Sequence, residues 1–117
     1  MVKRRRLETD RVFRALADST RREILFRVAR SDCTVAELAE PFDLSAPAIS
    51  RHLKVLESAG LLRRIRQGKH HHFHLQPQPL TDARTTLERL AAFWLQRLDE
   101  LEDYLDAEQA AAPHPAP

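Results

Sequence analysis

Between positions 45 and 54 the chain gathers small, hydroxyl-bearing and cationic side chains: Ser45, Pro47, Ser50, Arg51, His52 and Lys54. These types suit the edge of a nucleic-acid duplex. The guanidinium of Arg51 carries the fork that matches guanine O6 and N7, whereas the ammonium of Lys54 is a point charge suited to a phosphate. Small residues let a helix approach base edges in a major groove about 12 Å wide. At about 100° per residue, Leu53 and Leu56 fall within about 40° of Ile49 and make a core stripe. Ser50, Lys54, Pro47 and Arg51 fall between about 100° and 200° from it. The face opposite the stripe is thus small and polar at its start and cationic farther along. His52 lies at the edge of the stripe, where a packing or hydrogen-bonding role and a direct contact are both open. Ser45 is placed to cap the helix, and the free N–H groups of the first turn can receive a phosphate oxygen.

A second cationic group follows. Arg63, Arg64, Arg66 and Lys69 crowd two β-prone runs, Leu61 to Arg66 and His70 to Leu75, joined as a hairpin by Gln67-Gly68-Lys69. Beside a recognition helix such a hairpin can grip the flanking backbone or enter a minor groove. By itself it is equally a charged edge that resists aggregation. Phe73 and Leu75 share one face and should anchor it. His70, His72 and His74 point the other way, with neighbours roughly 6.5–7 Å apart, while His71 points toward Phe73 and Leu75. Pairs of these imidazoles could bind Zn2+ or Ni2+. The strand offers no carboxylate to orient them, and the plainer role is to add hydrogen bonds, or charge below about pH 6.5, near phosphates. No metal site and no cofactor are assigned. Cys33 is a lone thiol without a resolving partner, the usual profile of a small buried residue. No Ser-His-Asp, Cys-His or paired-carboxylate arrangement is visible. Glu100, Glu102 and Asp103 lie on a charge-rich helix surface, and two glycines are too few for a phosphate-cradling loop. An enzyme is not indicated.

These residues need a scaffold, and local signals describe one that is mainly α with a small β-hairpin. Residues 1–7 form a basic stub expected to be flexible, with Lys3 to Arg6 as a tail contact. Segment 8–17 places Val12, Phe13, Leu16 and Ala17 at helical spacing. The next helix starts at Asp18 or Thr20, since Asp18 is a good N-cap and Thr20 with Glu23 has the capping-box spacing. Ile24, Leu25 and Val28 form its buried stripe, and Arg21, Arg22 and Arg27 are expected to stay solvated. After a break at Ser31-Asp32-Cys33, Thr34 and Glu37 repeat the box and open a short helix bearing Val35, Leu38 and Ala39, which Pro41 stops. The following helix runs from the Ser45 cap to about Ala59, with Pro47 in its first turn and Gly60 as the left-handed stop. A short helix, a brief turn and a longer helix is helix-turn-helix order.

Pro77 and Pro79 lead into a long helix from Thr81 to about Ala107, and residues 108–117 are an Ala/Pro tail expected to fray. Leu87, Leu90, Trp94, Leu98, Leu101 and Leu105 recur along that helix at helical spacing, widened by Phe93. Each contributes about 1.5–3 kcal/mol when buried, so the stripe has to be covered. Part can fold onto Phe13 and Leu16, and part is expected to pair with a second copy. A DNA-binding and dimerisation domain over 8–107 is the resulting division.

The net charge of +2 hides an asymmetry. Residues 1–79 hold 16 Lys/Arg against 9 Asp/Glu, and residues 80–117 hold 3 against 8. The first part suits a polyanion and the second would repel it. The 117 residues suffice for one compact domain. One cysteine excludes an internal disulfide and a zinc site built from several thiolates of one chain. No apolar run approaches the ~18 residues of a membrane span, and no apolar segment follows the basic start as in a secretory signal. A cytoplasmic location is expected.

Leu16-Ala17-Asp18-Ser19-Thr20-Arg21-Arg22-Glu23-Ile24-Leu25 resembles the opening signature of the ArsR/SmtB family, and residues 45–62, SAPAISRHLKVLESAGLL, are similar to that family's recognition helix and its exit into the wing. The resemblance covers about residues 10–105. It implies a winged helix-turn-helix, homodimeric through terminal helices, and a transcriptional repressor. On this match Ser50, Arg51, His52 and Lys54 occupy positions that the family brings to DNA. Many members sense metals, through a Cys-x-Cys unit on the first helix of the motif or through Asp and His across the terminal helix pair. Here that first helix reads Val35-Ala36-Glu37-Leu38-Ala39-Glu40, and residues 80–112 contain no His. The sequence is similar to members lacking both sites.

The expected function is a sequence-specific DNA-binding regulator, a repressor bound as a homodimer to an inverted-repeat operator with half-site centres about 10 bp apart. The candidate DNA-binding residues are Ser45, Pro47, Ser50, Arg51, His52, Lys54, Arg64, Arg66 and Lys69. Dimerisation falls to Phe13, Leu16, Leu87, Leu90, Trp94, Leu98, Leu101 and Leu105. Two rivals are a metal-responsive repressor that uses the wing histidines and a helical dimer that serves as a protein-interaction adaptor.

Overall fold

The computed structural model describes residues 2–111. Helix α1 spans Val2–Leu16, α2 Ser19–Arg30, strand β1 Cys33–Thr34, α3 Val35–Ala39, α4 Ala46–Ser58, β2 Leu62–Gln67, β3 His70–Leu75 and α5 Gln78–Ala111. The apolar periodicity places the first helix at residue 8, but the structure starts it at Val2. Lys, Arg, Leu and Glu are all good helix formers, and Arg4 Nε lies 3.4 Å from Glu8 Oε1 one turn on. At the other end, α5 begins earlier than Thr81, because Pro79 in the first turn forgoes an N–H that has no partner there. It runs through Glu108 to Ala111, into the stretch expected to fray; the remainder of that tail lies outside the described residues.

Local caps set the element boundaries. Asp18 Oδ2 accepts the Arg21 backbone N–H at 3.0 Å, so Asp18 rather than Thr20 caps α2. Thr34 forms a complete capping box on α3: its Oγ1 accepts from Glu37 N at 3.2 Å, and Glu37 Oε1 accepts from Thr34 N at 3.2 Å. Pro41 closes α3 in a single tight turn, Glu40–Phe42, after which Asp43 takes a left-handed φ of 52°. Ser45 Oγ then accepts from Ala48 N at 3.3 Å and starts α4. Gly60, at φ 76°, turns the chain out of α4 into the sheet.

The sheet has three antiparallel strands in the order β1-β3-β2. Cys33 pairs with Phe73 and Thr34 with His72. The break expected at Ser31-Asp32-Cys33 therefore ends in a short edge strand. Two residues carry no alternation pattern, and their partner strand is distant in the chain, so no local signal announces them. β2 and β3 run in register from Leu62 opposite Leu75 to Gln67 opposite His70, closed by Gly68 and Lys69.

The chain divides into two compact units, residues 1–83 and 84–117. The first holds the core: Val12 and Ala15 of α1, Ile24 and Val28 of α2, Leu38 of α3, Ile49, Leu53 and Leu56 of α4, and Leu61, Leu62 and Phe73 at the sheet. Phe13 and Leu16, expected at a dimer seam, are partly buried against this core. The second unit is the greater part of α5.

Candidate nucleic-acid interface

α3, the turn through Asp43 and α4 make the helix-turn-helix. Ile49, Leu53 and Leu56 are fully buried, and this fixes which face of α4 is left over. On that face Ser45, Pro47, Arg51 and Lys54 are exposed and Ser50 is half-buried. Neither Arg51 nor Lys54 has a hydrogen-bond or ion-pair partner among the described residues. Two unpaired cations thus stand beside small side chains on a helix whose other face is anchored.

His52 sits differently from its neighbours. Its side chain is 23% exposed, with Nδ1 at 3.4 Å from Arg21 Nη1 and 3.9 Å from Asp18 Oδ2. Arg21 also donates from Nε to Ala15 O at 2.7 Å and from Nη2 to Arg14 O at 2.9 Å. Arg22 Nη1 donates to Leu16 O at 2.8 Å. These are carbonyls of the last turn of α1, which have no partner within their own helix. Arg21 and Arg22 are therefore caps and not simply solvated cations, a correction to the sequence reading. A helical wheel sorts them by polarity alone; the usable signal was a pair of arginines just after a helix end. Arg27 departs from that expectation too, being half-buried with an Nε that has no partner among the described residues. The Arg21 backbone N–H holds the Asp18 carboxyl below its ordinary value of 3.8, with the charge of Arg21 helping against partial desolvation.

The wing braces itself on α4. The Arg64 guanidinium lies 5.3 Å from the centroid of the buried Phe73 ring, and its Nη2 is 3.0 Å from Glu57 Oε1 on α4. The structure thus pairs Arg64 with Glu57 and leaves its side chain 42% exposed. Arg66 Nε donates to Gly68 O at 3.3 Å and shapes the turn, leaving Lys69 exposed at the tip. Arg63, also exposed, lies across the strands from His74.

The histidines of β3 do not converge on one point. His74 Nδ1 is 2.8 Å from Asp32 Oδ1, and His72 faces β1 at Thr34. Among the described residues no group of three or more His, Cys, Asp and Glu is arranged to hold a metal ion. α3 offers no thiol, so the residues present do not fit the metal centre that the family resemblance would suggest there. Cys33 is 6% exposed, and burial, with the charge of Glu37, pushes its thiol pKa up. A reactive thiol needs the opposite surroundings.

Along α5, Leu87, Leu90, Trp94, Leu98, Leu101 and Leu105 are 52–63% exposed, as are Phe93, Leu95 and Tyr104. A contiguous apolar surface of this kind marks an interaction site. No helix among the described residues is long and apolar enough to cross a membrane.

A family model described as bacterial regulatory protein, arsR family, matches residues 18–64, from the cap of α2 through α4 into the wing. Over a longer stretch, the chain is 40% identical over 99 residues to the HTH-type transcriptional regulator Rv2034 of Mycobacterium tuberculosis (strain ATCC 25618 / H37Rv), a match that covers 85% of this chain and 90% of that protein. The chain belongs to the arsR family. This arsR-family protein is a DNA-binding transcriptional regulator with a winged helix-turn-helix fold, not an enzyme. It is also 38% identical over 72 residues to the transcriptional repressor SdpR of Bacillus subtilis (strain 168), over 62% of this chain and 80% of that one. Among solved structures it is similar to a homodimeric winged helix-turn-helix DNA-binding domain, Mb0332, of Mycobacterium bovis. There the TM-score is 0.56 and the identity 27%, covering 80% of each chain. The segment matched by the family model ends at Arg64, so α5, with its uncovered stripe, lies outside it.

Proposed function

We propose that this arsR-family regulator is a cytoplasmic repressor that occupies an inverted-repeat operator as a homodimer. The observation that carries the reading is the open face of α4, where Arg51 and Lys54, without a partner among the described residues, lie beside Ser50 and Pro47. In the proposed complex α4 enters the major groove. Arg51 reads a guanine through its fork, while Lys54 and the first-turn N–H groups at Ser45 hold phosphates. Arg66 and Lys69 at the wing tip meet the flanking backbone, and Arg64, through Glu57, keeps the wing at a set angle to α4. The second copy covers Leu87, Leu90, Trp94, Leu98, Leu101 and Leu105, with Phe13 and Leu16 at the margin. A two-fold pair then presents two α4 helices to half-sites centred about 10 bp apart. SdpR is named a transcriptional repressor and the M. bovis domain homodimeric, and both names favour this reading. The acidic carboxyl-terminal half of α5, from Asp99 to Glu108, would be repelled by DNA and suits a position away from it.

The test is selection of duplexes from a random pool, followed by binding at two salt concentrations with and without Zn2+. The expected result is a two-fold symmetric consensus, affinity that falls steeply with salt, and no effect of Zn2+. Duplex binding that needs Zn2+ would favour a sensor built on the wing histidines. No salt-dependent duplex binding at all would favour an adaptor.

A further inference from the structure

Arg21 spends its side chain inside the fold. Two edges of the guanidinium hold the carboxyl end of α1, Nε on Ala15 O at 2.7 Å and Nη2 on Arg14 O at 2.9 Å. The remaining nitrogen, Nη1, reaches α4 and lies 3.4 Å from His52 Nδ1. A guanidinium has donors only and keeps its charge. A hydrogen bond across this 3.4 Å contact has Nδ1 as its acceptor, which is the geometry of an imidazole carrying its proton on Nε2. A proton on Nδ1 would instead face the Arg21 cation. Asp18 Oδ2, which accepts the Arg21 backbone N–H at 3.0 Å, lies 3.9 Å from Nδ1, too far for a hydrogen bond to the ring. Nε2 lies on the far side of the ring from this cluster, on the residue that follows Arg51 in α4.

We infer that Arg21 is a positioning residue for DNA binding. It fixes His52 as the Nε2–H tautomer and orients the ring, so that α4 offers a pre-set neutral N–H donor to a phosphate oxygen beside Arg51. The inference rests on the reading of α4 as the recognition helix and adds to it a residue of α2 that touches no DNA. A donor held in place before contact loses no rotational freedom on binding, and the same guanidinium makes its placement depend on where α1 ends.

Two measurements test it. The first is 15N-detected NMR of the histidine rings of the full chain at neutral pH without DNA. The expected result is a His52 with Nδ1 unprotonated and Nε2 protonated; a ring found mainly as the Nδ1–H form overturns the inference, and no variant has to fold for this arm. The second is a double-mutant cycle on affinity for a selected duplex. Arg21→Met and His52→Ala should each weaken binding about tenfold, and the double variant should bind no more weakly than His52→Ala alone. Arg22→Met removes the comparable cap on Leu16 O without reaching His52 and should leave affinity within about twofold. Losses that multiply in the double variant, or an equal loss from Arg22→Met, would assign Arg21 to capping alone. A parent that binds no duplex would sink the reading of α4 itself, whatever the tautomer.

Discussion

Leu98→Asp should separate the two copies while leaving the helix-turn-helix folded. Leu98 is 55% exposed in the single chain, with Trp94 at 63% and Leu101 at 52% on either side of it. About half of each side chain is thus left to cover. At about 1.5–3 kcal/mol for complete burial, each contributes about 0.8–1.5 kcal/mol on pairing. The six-residue stripes of both copies together supply about 9–18 kcal/mol, against about 4–15 kcal/mol for association. The margin is narrow, so one substitution can decide the outcome. In a symmetric pair the aspartate removes the leucine contribution twice and sets two carboxylates in the seam, each costing several kcal/mol where water cannot reach it. A loss of about 4 kcal/mol raises the dissociation constant about a thousandfold. The core is untouched, because Ala83 is the only buried residue of α5. Sedimentation equilibrium at micromolar concentration should find the parent paired and the variant monomeric, with circular dichroism still helical. A variant that sediments as a pair, or a parent that sediments alone, refutes the assignment of the seam.

Phe73→Ala empties the centre of the sheet beside Cys33 and beneath Arg64, and should cost about 3–5 kcal/mol in urea unfolding; an unchanged midpoint would contradict the packing described. Acid should destabilise the fold through Asp18 and Glu37, whose carboxyls are lowered by backbone N–H bonds from Arg21 and Thr34 respectively. A lowered folded-state value contributes stability that is complete above the ordinary values of 3.8 and 4.5 and is lost as pH falls through the lower ones. Thermal melts from neutral pH downward should show that loss, diminished in Asp18→Asn/Glu37→Gln; a parent equally stable throughout would contradict it. Cys33 should be alkylated slowly in the native protein and fully in denaturant, and rapid native labelling would contradict its burial.

What the sequence made legible lies within one helical turn of the residues that signal it. Thr34 with Glu37, Ser45 with Pro47, and Gly60 each act on backbone groups three or four residues away, and each forms as the pattern implies. The buried stripe of α4 follows from periodicity in the same way, and with it the identity of the open face. The features that escaped join residues far apart in the chain. β1 exists because Cys33 and Thr34 meet Phe73 and His72. Arg21 reaches His52 across the fold, and Arg64 turns to Glu57 because Phe73 lies beneath it. Arginines just after a helix end can be read as caps, but for Arg64 no local rule separates a side chain that braces the fold from one that waits for a phosphate. The split between Arg64, which is engaged, and Arg51, which is not, had to come from the structure.

The most direct test of the account compares Arg51→Ala and Lys54→Ala on one selected operator, titrated across a range of salt concentrations and against single-base variants. Arg51→Ala should cost about 1–3 kcal/mol and relax the preference at one guanine. Lys54→Ala should weaken every sequence alike and lower the salt slope by about one. Parental affinity, preference and slope in both variants would contradict the assignment of α4 as the helix that reads DNA.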